Sequence, residues 1–220
     1  MSDATLVIGN RNYSSWSLRG WLAAKQAGLA FDEVVVNLGD PNYKDQLRAH
    51  SKAAKVPVLI HQGIEVWDTL GIIEYLAETF PDAGLWPADK AARARARSIS
   101  AEMHSSFAAL RNHMPMNIRK LLAGLGRGPG VEENVWRIAE IWRDCRQRAA
   151  DDGDFLFGPW CAADAMFAPV ASRFRTYGVA LDVTSERYAD AVLGSAWFKE
   201  WEAASLKETW IVPEDEIDQD

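Results

Sequence analysis

The chain has 220 residues, a formal net charge of −7 and 48% hydrophobic residues. A chain of this length can bury a substantial core in one large or two small domains. No apolar run approaches the roughly 18 residues of a membrane span, and no basic region followed by an apolar stretch opens the sequence. We therefore expect a cytoplasmic protein with no membrane contact, and the scattered basic residues argue against an extended nucleic-acid surface.

Cysteine and histidine chemistry is sparse. The two cysteines have no C-x-x-C spacing, which argues against a disulfide framework and against a dithiol redox site. The four histidines show no metal-ligand spacing. The sequence therefore predicts no metal.

A strand, a helix and a second strand are predicted at the start of the chain. Residues 5–9 and 31–36 are strand-like apolar runs, and residues 17–27 carry apolar side chains at helical spacing until Gly28. The short connections favour a parallel strand pair with a right-handed crossover.

A hairpin and a helix are predicted next. Residues 58–60 and 64–67 flank a Gln-Gly pair, which is typical of a tight turn. A helix with a buried apolar face then runs from Asp68 until Pro81. The order βαβ followed by ββα within about 80 residues predicts one sheet covered by helices.

The rest of the chain is predicted to be helical. Residues 81–87, with two prolines and a glycine, separate it from the first part. Residues 92–111 read as one amphipathic helix that Pro115 ends or kinks, and residues 131–150 as another. The acidic residues 214–220 are predicted to be a frayed end.

Two features of the first part predict a ligand site. Pro57 leads a strand, and a cis Val56–Pro57 bond would leave the main chain of Val56 free to pair with a ligand. The helix that starts at Asp68 would direct backbone N–H groups and its positive dipole end toward the same place, which suits a carboxylate. Main-chain pairing and a carboxylate socket together are suited to a peptide-like thiol.

Several short motifs occur in the order and spacing of one known family. They are Tyr13-Ser14-Ser15-Trp16-Ser17-Leu18-Arg19, Lys55-Val56-Pro57, Asp68-Thr69, Ile72-Ile73-Glu74-Tyr75-Leu76, Phe155-Leu156-Phe157-Gly158, Cys161-Ala162-Ala163-Asp164 and Ala168-Pro169. The set resembles the soluble glutathione S-transferases over nearly the whole chain. The serine-rich motif is most similar to the zeta class, although Trp16 stands where that class has cysteine.

The resemblance implies two domains. The first, residues 1–81, would be an α/β thioredoxin-like domain that binds glutathione, with βαβ-ββα order and a mixed four-stranded sheet. Residues 82–87 would be the linker. Residues 88–220 would form an all-α domain that supplies the pocket for the acceptor substrate.

The resemblance also implies a role for a serine hydroxyl as the catalytic group. A donor aimed at the glutathione sulfur lowers the thiol pKa and raises the fraction of reactive thiolate. The zeta-like spacing to Arg19 favours Ser14 for this role, and Ser15 is the alternative. The other serine would cap the helix or contact glutathione.

Further residues are implied to bind the two substrates. For glutathione, as co-substrate, they are Val56 by its main chain beside Pro57, Asp68 and Thr69 for the γ-glutamyl end, and Lys55 and His50 for the glycyl carboxylate. For the acceptor, they are Trp16, Met103, Phe107, Arg111 and Met114. Arg173 and Arg175 are further candidates for an acidic acceptor.

The implied activity is glutathione transfer to a small electrophile, as in detoxification, by a homodimer. Two alternatives stay open. One is a zeta-like cis-trans isomerase of the maleylacetoacetate type, which would want cationic residues in its acceptor pocket. The other is a non-catalytic binding or scaffold protein with the same fold.

Overall fold

The computed structural model describes residues 3–149 and 153–217. Its first part contains four strands and three helices. Their bounds are β1 Ala4–Ile8, α1 Ser15–Gln26, β2 Asp32–Val35, α2 Tyr43–Arg48, β3 Val58–His61, β4 Ile64–Trp67 and α3 Thr69–Thr79. A 3₁₀ turn, Pro81–Ala83, follows α3.

The four strands form one mixed sheet in the order β2-β1-β3-β4. Strand β1 pairs parallel with β2 and antiparallel with β3, and β3 pairs antiparallel with β4. Gln62 and Gly63 both have positive φ, as a tight two-residue hairpin turn requires. The predicted βαβ-ββα order and mixed four-stranded sheet are confirmed.

The second part is helical in the residues described. Its helices are α4 Lys90–Ser105, α5 Ala108–His113, α6 Val131–Ala149, α7 Ala162–Tyr177, α8 Val183–Gly194 and α9 Ala196–Ser205. Within the described segments, none of the helices is long and apolar enough to cross a membrane.

Helix α7 links the two parts of the molecule. All but one of its residues are buried, and it packs against α1 of the first part and against α4 and α8 of the second. Trp142 of α6 is fully buried beside it and contacts the rings of Phe167, Phe174 and Tyr188. The interior is therefore continuous between the sheet domain and the helical domain, and α7 lies at its centre.

The predicted single helix over residues 92–111 is wrong, because α4 ends at Ser105 and α5 begins at Ala108. Phe107 has a φ of 61° and its side chain is 5% exposed. The left-handed backbone at Phe107 interrupts the helix where the phenyl ring enters the core. No glycine or proline marks the break in the sequence.

The C-terminal segment also differs from its prediction. Glu216 accepts hydrogen bonds from Tyr13 and Asn117 and pairs with Lys120, so this part of the acidic end is held against the rest of the protein. Arg119 donates to the carbonyl of Trp210 at 2.9 Å. The remaining residues of the predicted frayed end, 218–220, lie outside the described residues.

Candidate functional site

Ser14 caps helix α1. Its Oγ accepts a hydrogen bond from the backbone N–H of Ser17 at 3.3 Å and donates one to Ser17 Oγ at 2.7 Å. Ser17 Oγ in turn accepts from the N–H of Gly9 at 2.9 Å. The hydroxyl proton of Ser14 is therefore used within the turn that joins β1 to α1.

Ser15, the first residue of α1, has a different environment. Its Oγ accepts a hydrogen bond from Arg173 Nη2 of helix α7 at 3.4 Å. Among residues 3–149 and 153–217 this hydroxyl has no acceptor for its own proton. Both Ser14 and Ser15 are nearly buried, at 8% and 6% exposure, and Ser15 lies where the sheet domain meets α7 of the helical domain. We call this junction of the two domains the cleft.

The start of helix α3 lies against the start of α1. Asp68 caps α3 and accepts from the N–H of Leu70 at 2.9 Å. The hydroxyl of Thr69 donates to the carbonyl of Trp16 at 3.3 Å. Two helix N-termini, each a site of positive potential, are thus held together in one cleft.

The Val56–Pro57 peptide bond is cis, as predicted. The Pro57 ring packs directly beneath α1, because a Cβ added at Gly20 would lie 2.8 Å from Pro57 Cγ. Val56 is half-buried, whereas Lys55 is exposed. Glycine at position 20 therefore allows the helix to approach the segment that precedes β3 closely.

A histidine of the helical domain closes one side of the cleft. His104 Nε2 lies 2.9 Å from both carboxylate oxygens of Asp68. The imidazole also contacts the indole of Trp16, with 5.1 Å between ring centroids. Sequence reasoning did not predict His104, because a lone histidine near a helix end carries no spacing signal.

Three arginines surround Ser15 and Trp16, and we call Arg19, Arg111 and Arg173 the arginine cluster. The guanidinium of Arg19 lies 4.5 Å from the centroid of the Trp16 ring, and that of Arg111 lies 5.8 Å from it. Arg173 reaches Ser15 from the opposite domain. Cationic side chains from α1, α5 and α7 therefore meet at the start of α1.

The arginine cluster is largely removed from water. Arg19 and Arg173 are 0% and 4% exposed, and Arg111 is half-buried. Burial lowers the pKa of Arg173 to about 10. Burial, and then repulsion from the other two arginines, lowers the pKa of Arg19 well below its usual range. Burial also lowers the pKa of Arg111.

The cluster is held in place by backbone carbonyls. Arg19 Nε donates to the carbonyl of Met166 at 2.8 Å, and Arg173 Nε donates to that of Met114 at 2.7 Å. Arg111 Nη1 donates to the carbonyl of Met103 at 3.2 Å. No member of the cluster forms an ion pair within the described part of the chain.

The other predicted site residues divide into two sets. Trp16 and Arg111 are half-exposed at the cleft, whereas Met103, Phe107 and Met114 are buried in the hydrophobic core. Contact of those three with an acceptor stays a prediction.

Of the remaining polar candidates, neither His50 nor Lys55 forms a side-chain hydrogen bond with the α1 or α3 start among the residues described, so their role also stays a prediction. Arg175 pairs with Glu202 at 2.7 Å and is not part of the cluster. No group of three or more potential metal ligands was found in the two described segments.

Comparison with known proteins identifies the first domain. Residues 13–79 match the sequence profile described as "Glutathione S-transferase, N-terminal domain". These residues belong to that domain family. The match includes the serines at the start of α1, the Val56–Pro57 segment and the start of α3, so the family assignment covers the sheet-domain side of the cleft.

Among curated relatives of this glutathione S-transferase domain, a probable maleylacetoacetate isomerase of Caenorhabditis elegans is 37% identical over 53% of this chain and 54% of its own length. The maleylacetoacetate isomerase of Rattus norvegicus is 34% identical over 46% of this chain and 48% of its own. The chain thus spans about half the length of these relatives.

Comparison with solved structures shows that the similarity in fold extends to the second domain. A solved structure described as a glutathione transferase homolog from Burkholderia GL BGR1, with bound glutathione, has a TM-score of 0.72. The alignment covers 93% of this chain and 99% of the Burkholderia chain, at 23% sequence identity. The described residues therefore have the glutathione S-transferase fold, with a thioredoxin-like domain followed by a helical domain.

Proposed function

We propose that this protein is a serine-type glutathione transferase, which binds glutathione in the cleft and activates its thiol for attack on a small electrophile. The convergence of the α1 and α3 N-termini carries the proposal, because it places two anion-attracting helix ends beside a serine hydroxyl. The hydrogen bond from Thr69 to Trp16 holds the two ends together. The names of the relatives and the glutathione in the Burkholderia structure support it.

The start of α3 would hold the γ-glutamyl end of glutathione. Its first-turn N–H groups and Thr69 suit the α-carboxylate, and the carboxylate of Asp68 suits the ammonium group. His104 lies against Asp68 at 2.9 Å and would keep this carboxylate in place. The main chain of Val56 would pair with the cysteinyl unit, and Lys55 and His50 would face the glycyl carboxylate.

The hydrogen bonding of the two serines favours Ser15 as the donor to sulfur, although the sequence motif favours Ser14. Ser14 already donates its proton to Ser17, whereas the proton of Ser15 has no acceptor in the described residues. In the reaction the thiol proton leaves to solvent, and the thiolate forms a C–S bond to the electrophilic carbon. The leaving group departs with its bonding electron pair.

A thiolate titration tests both the function and the choice of serine. The ultraviolet absorbance of bound glutathione is followed against pH for the wild type, Ser15→Ala and Ser14→Ala. We expect Ser15→Ala to raise the thiol pKa toward its value in free glutathione, with little change in affinity, and Ser14→Ala to leave the pKa nearly unchanged. The reverse pattern would assign the role to Ser14, and failure of the wild type to bind glutathione would refute the proposed function.

The second candidate is a glutathione-dependent cis-trans isomerase, which the names of the Caenorhabditis elegans and Rattus norvegicus relatives favour. There the thiolate would add to a double bond and leave again after rotation. Parallel assays with an electrophilic aryl halide and a cis-dienedioic keto acid separate the two activities. Glutathione binding with neither activity would instead favour a non-catalytic binding protein.

We further propose a homodimer. Ile64 and Trp67 lie on β4, which is an edge strand of the sheet, and are 50% and 53% exposed. Exposed apolar side chains on an edge strand are typical of a surface that a partner covers. Sedimentation velocity of the wild type, and of a variant with charged residues at both positions, measures the oligomeric state directly. A cytoplasmic location stays a prediction.

A further inference from the structure

We propose that the arginine cluster is the counter-charge of the glutathione thiolate, and that Arg173 is a positioning residue that holds and polarises Ser15. The proposal rests on the proposed function. It adds a charge from the helical domain to a thiol site that the sheet domain otherwise forms. It also explains why a hydroxyl with no base beside it can stabilise an anion.

Unpaired buried charge is the first observation behind this inference. Moving a guanidinium out of water costs several kcal/mol unless an anion or a full set of acceptors compensates it. In the described part of the chain Arg19 has neither, because its Nη1 and Nη2 atoms are buried without a hydrogen-bond partner. Arg111 and Arg173 have only neutral oxygen acceptors there. The site therefore carries excess positive charge that a bound anion would balance.

The position of the cluster identifies that anion. The three guanidinium groups are arranged around Ser15 and Trp16, at the start of α1, where the sulfur is proposed to lie. Arg173 donates to the Ser15 hydroxyl itself. Because the oxygen of Ser15 is then engaged as an acceptor, its proton is directed elsewhere, and the hydroxyl becomes a stronger donor. If the cluster instead bound a carboxylate of the acceptor substrate, the hydrogen bond between Arg173 and Ser15 would have no role in that binding.

Arg173 has the fixed geometry that a positioning role requires. Its Nε donates to the carbonyl of Met114 at 2.7 Å and its Nη1 to that of Pro169 at 3.4 Å, so only Nη2 is directed to Ser15. The side chain is 4% exposed on the fully packed helix α7. A guanidinium held by two carbonyls does not reorient when a ligand binds. It therefore fixes the position of the Ser15 hydroxyl before glutathione binds.

Few negative groups face the cluster. Asp68 acts on Arg19 from the start of α3, and Tyr177 and Asp215 act on Arg173 from α7 and the C-terminal segment. Burial raises the pKa of Asp215 to about 6 and that of Tyr177 to about 12. Tyr177 is therefore uncharged near neutral pH. Neither Asp68 nor Asp215 lies within ion-pair distance of a cluster arginine in the described residues, so the two carboxylates weaken the positive potential without cancelling it.

The test is a pH titration of the thiolate absorbance of bound glutathione in the wild type, Arg173→Gln and Arg173→Lys. We expect Arg173→Gln to raise the pH midpoint by about one unit, which is a tenfold smaller thiolate fraction below the midpoint. Arg173→Lys keeps the charge but loses the planar fork, and we expect it to restore part of the shift. The double variant with Ser15→Ala should shift the midpoint by less than the sum of the single changes, because Arg173 acts through Ser15.

The controls separate charge from structure. S-methylglutathione has no ionisable thiol, so its affinity should be nearly the same for the wild type and Arg173→Gln. Arg143→Gln is the matched control, because it removes a half-buried guanidinium that pairs with Asp182 at the start of α8. It should leave the pH midpoint of the thiolate titration unchanged. If Arg173→Gln does not fold, Arg111→Gln tests the counter-charge of the cluster, with a smaller expected shift in the same direction, and Arg173→Lys with and without Ser15→Ala tests the action through Ser15.

Three results would overturn the inference. One is an unchanged midpoint in Arg173→Gln, or in Arg111→Gln where it replaces that variant, with S-methylglutathione still bound. Another is an unchanged midpoint together with a raised KM for a carboxylated aryl halide but not for its methyl ester, which would assign the cluster to the acceptor. The third is a double variant, Ser15→Ala with Arg173→Gln, whose shift of the pH midpoint equals the sum of the shifts of the two single variants. Failure of the wild type to bind either ligand would instead count against the proposed function.

Discussion

Replacing Asp164 with alanine should destabilise the protein by about 3 kcal/mol. The fully buried carboxylate accepts hydrogen bonds from the N–H of Leu156 at 3.0 Å, the N–H of Cys161 at 2.8 Å and the hydroxyl of Tyr188 at 3.1 Å. Leaving three buried donors unsatisfied costs about 2 kcal/mol each, or about 6 kcal/mol. Removing the charge returns part of that cost, because a carboxylate is unfavourable in this buried site, where burial raises the pKa of Asp164 from 3.8 to about 6.

A second aspartate at a helix start is the matched control. Asp182 caps α8 by accepting from the N–H groups of Thr184 and Ser185, but its side chain is 34% exposed. Loss of an exposed cap costs about 1 kcal/mol, since water replaces the lost acceptor. Urea denaturation followed by circular dichroism measures both variants. If Asp164→Ala costs no more than Asp182→Ala, burial of the three donors is not what makes Asp164 important.

Three further predictions concern packing, binding and pH. Gly20→Ala gains about 1 kcal/mol of helix propensity but places a Cβ 2.8 Å from Pro57 Cγ, so we expect calorimetry to show weaker glutathione binding as the Pro57 segment moves. Thr69→Ala should weaken glutathione affinity by about 1.5 to 3 kcal/mol with the fold intact, and an unchanged dissociation constant would refute the role of Thr69. The pKa of Asp164 is about 6, so the native state binds a proton as the pH falls through that value, before the unfolded chain does. Asparagine cannot titrate, so the destabilisation by Asp164→Asn should be larger near about pH 5 than near about pH 7, and equal losses in urea would contradict the assigned pKa.

Local patterns were sufficient to predict the sheet domain. The strand-like run at residues 5–9 became β1, shifted by one residue to Ala4–Ile8, and the run at residues 31–36 became β2, shortened by one residue at each end. The Gln-Gly pair did form the turn between β3 and β4. These elements were predictable because each depends on the chemistry of a few consecutive residues, namely β-branched side chains and a residue pair that accepts positive φ.

The elements that were missed depend on distant partners. The connection around Pro41 contains the short helix α2, whose one fully buried side chain, Leu47, gives too weak a periodicity to be detected. The break at Phe107 is set by burial of the phenyl ring, and it has no glycine or proline to mark it. Glu216 is held by Tyr13, which precedes it by 203 residues. Nothing in an acidic tail indicates such a contact.

The candidate site was predicted in part for the same reason. Ser14, Ser15 and the α3 start lie in short motifs, and the structure brings them together at one cleft. The pairing of Arg173 with Ser15 joins residues 158 positions apart. Arginine is normally exposed, so its burial at this site had no local signal. From the sequence, Arg173 and Arg175 had equal standing as candidates to bind an acidic acceptor. Only the structure distinguishes Arg173, which is buried, from Arg175, which pairs with Glu202.

Helix α7 would therefore have two effects on the proposed thiol site that the sheet domain cannot supply. It packs along α1 and fixes the end at which Ser15 lies, and it carries the guanidinium that reaches the serine hydroxyl. A positive charge in a site with little water acts more strongly than the same charge at the surface, because the local dielectric is lower. The thioredoxin-like domain alone would keep both serines and the α3 start but would lose Arg173 and Arg111. On this reasoning the helical domain would contribute to the proposed thiol activation as well as to the proposed acceptor pocket.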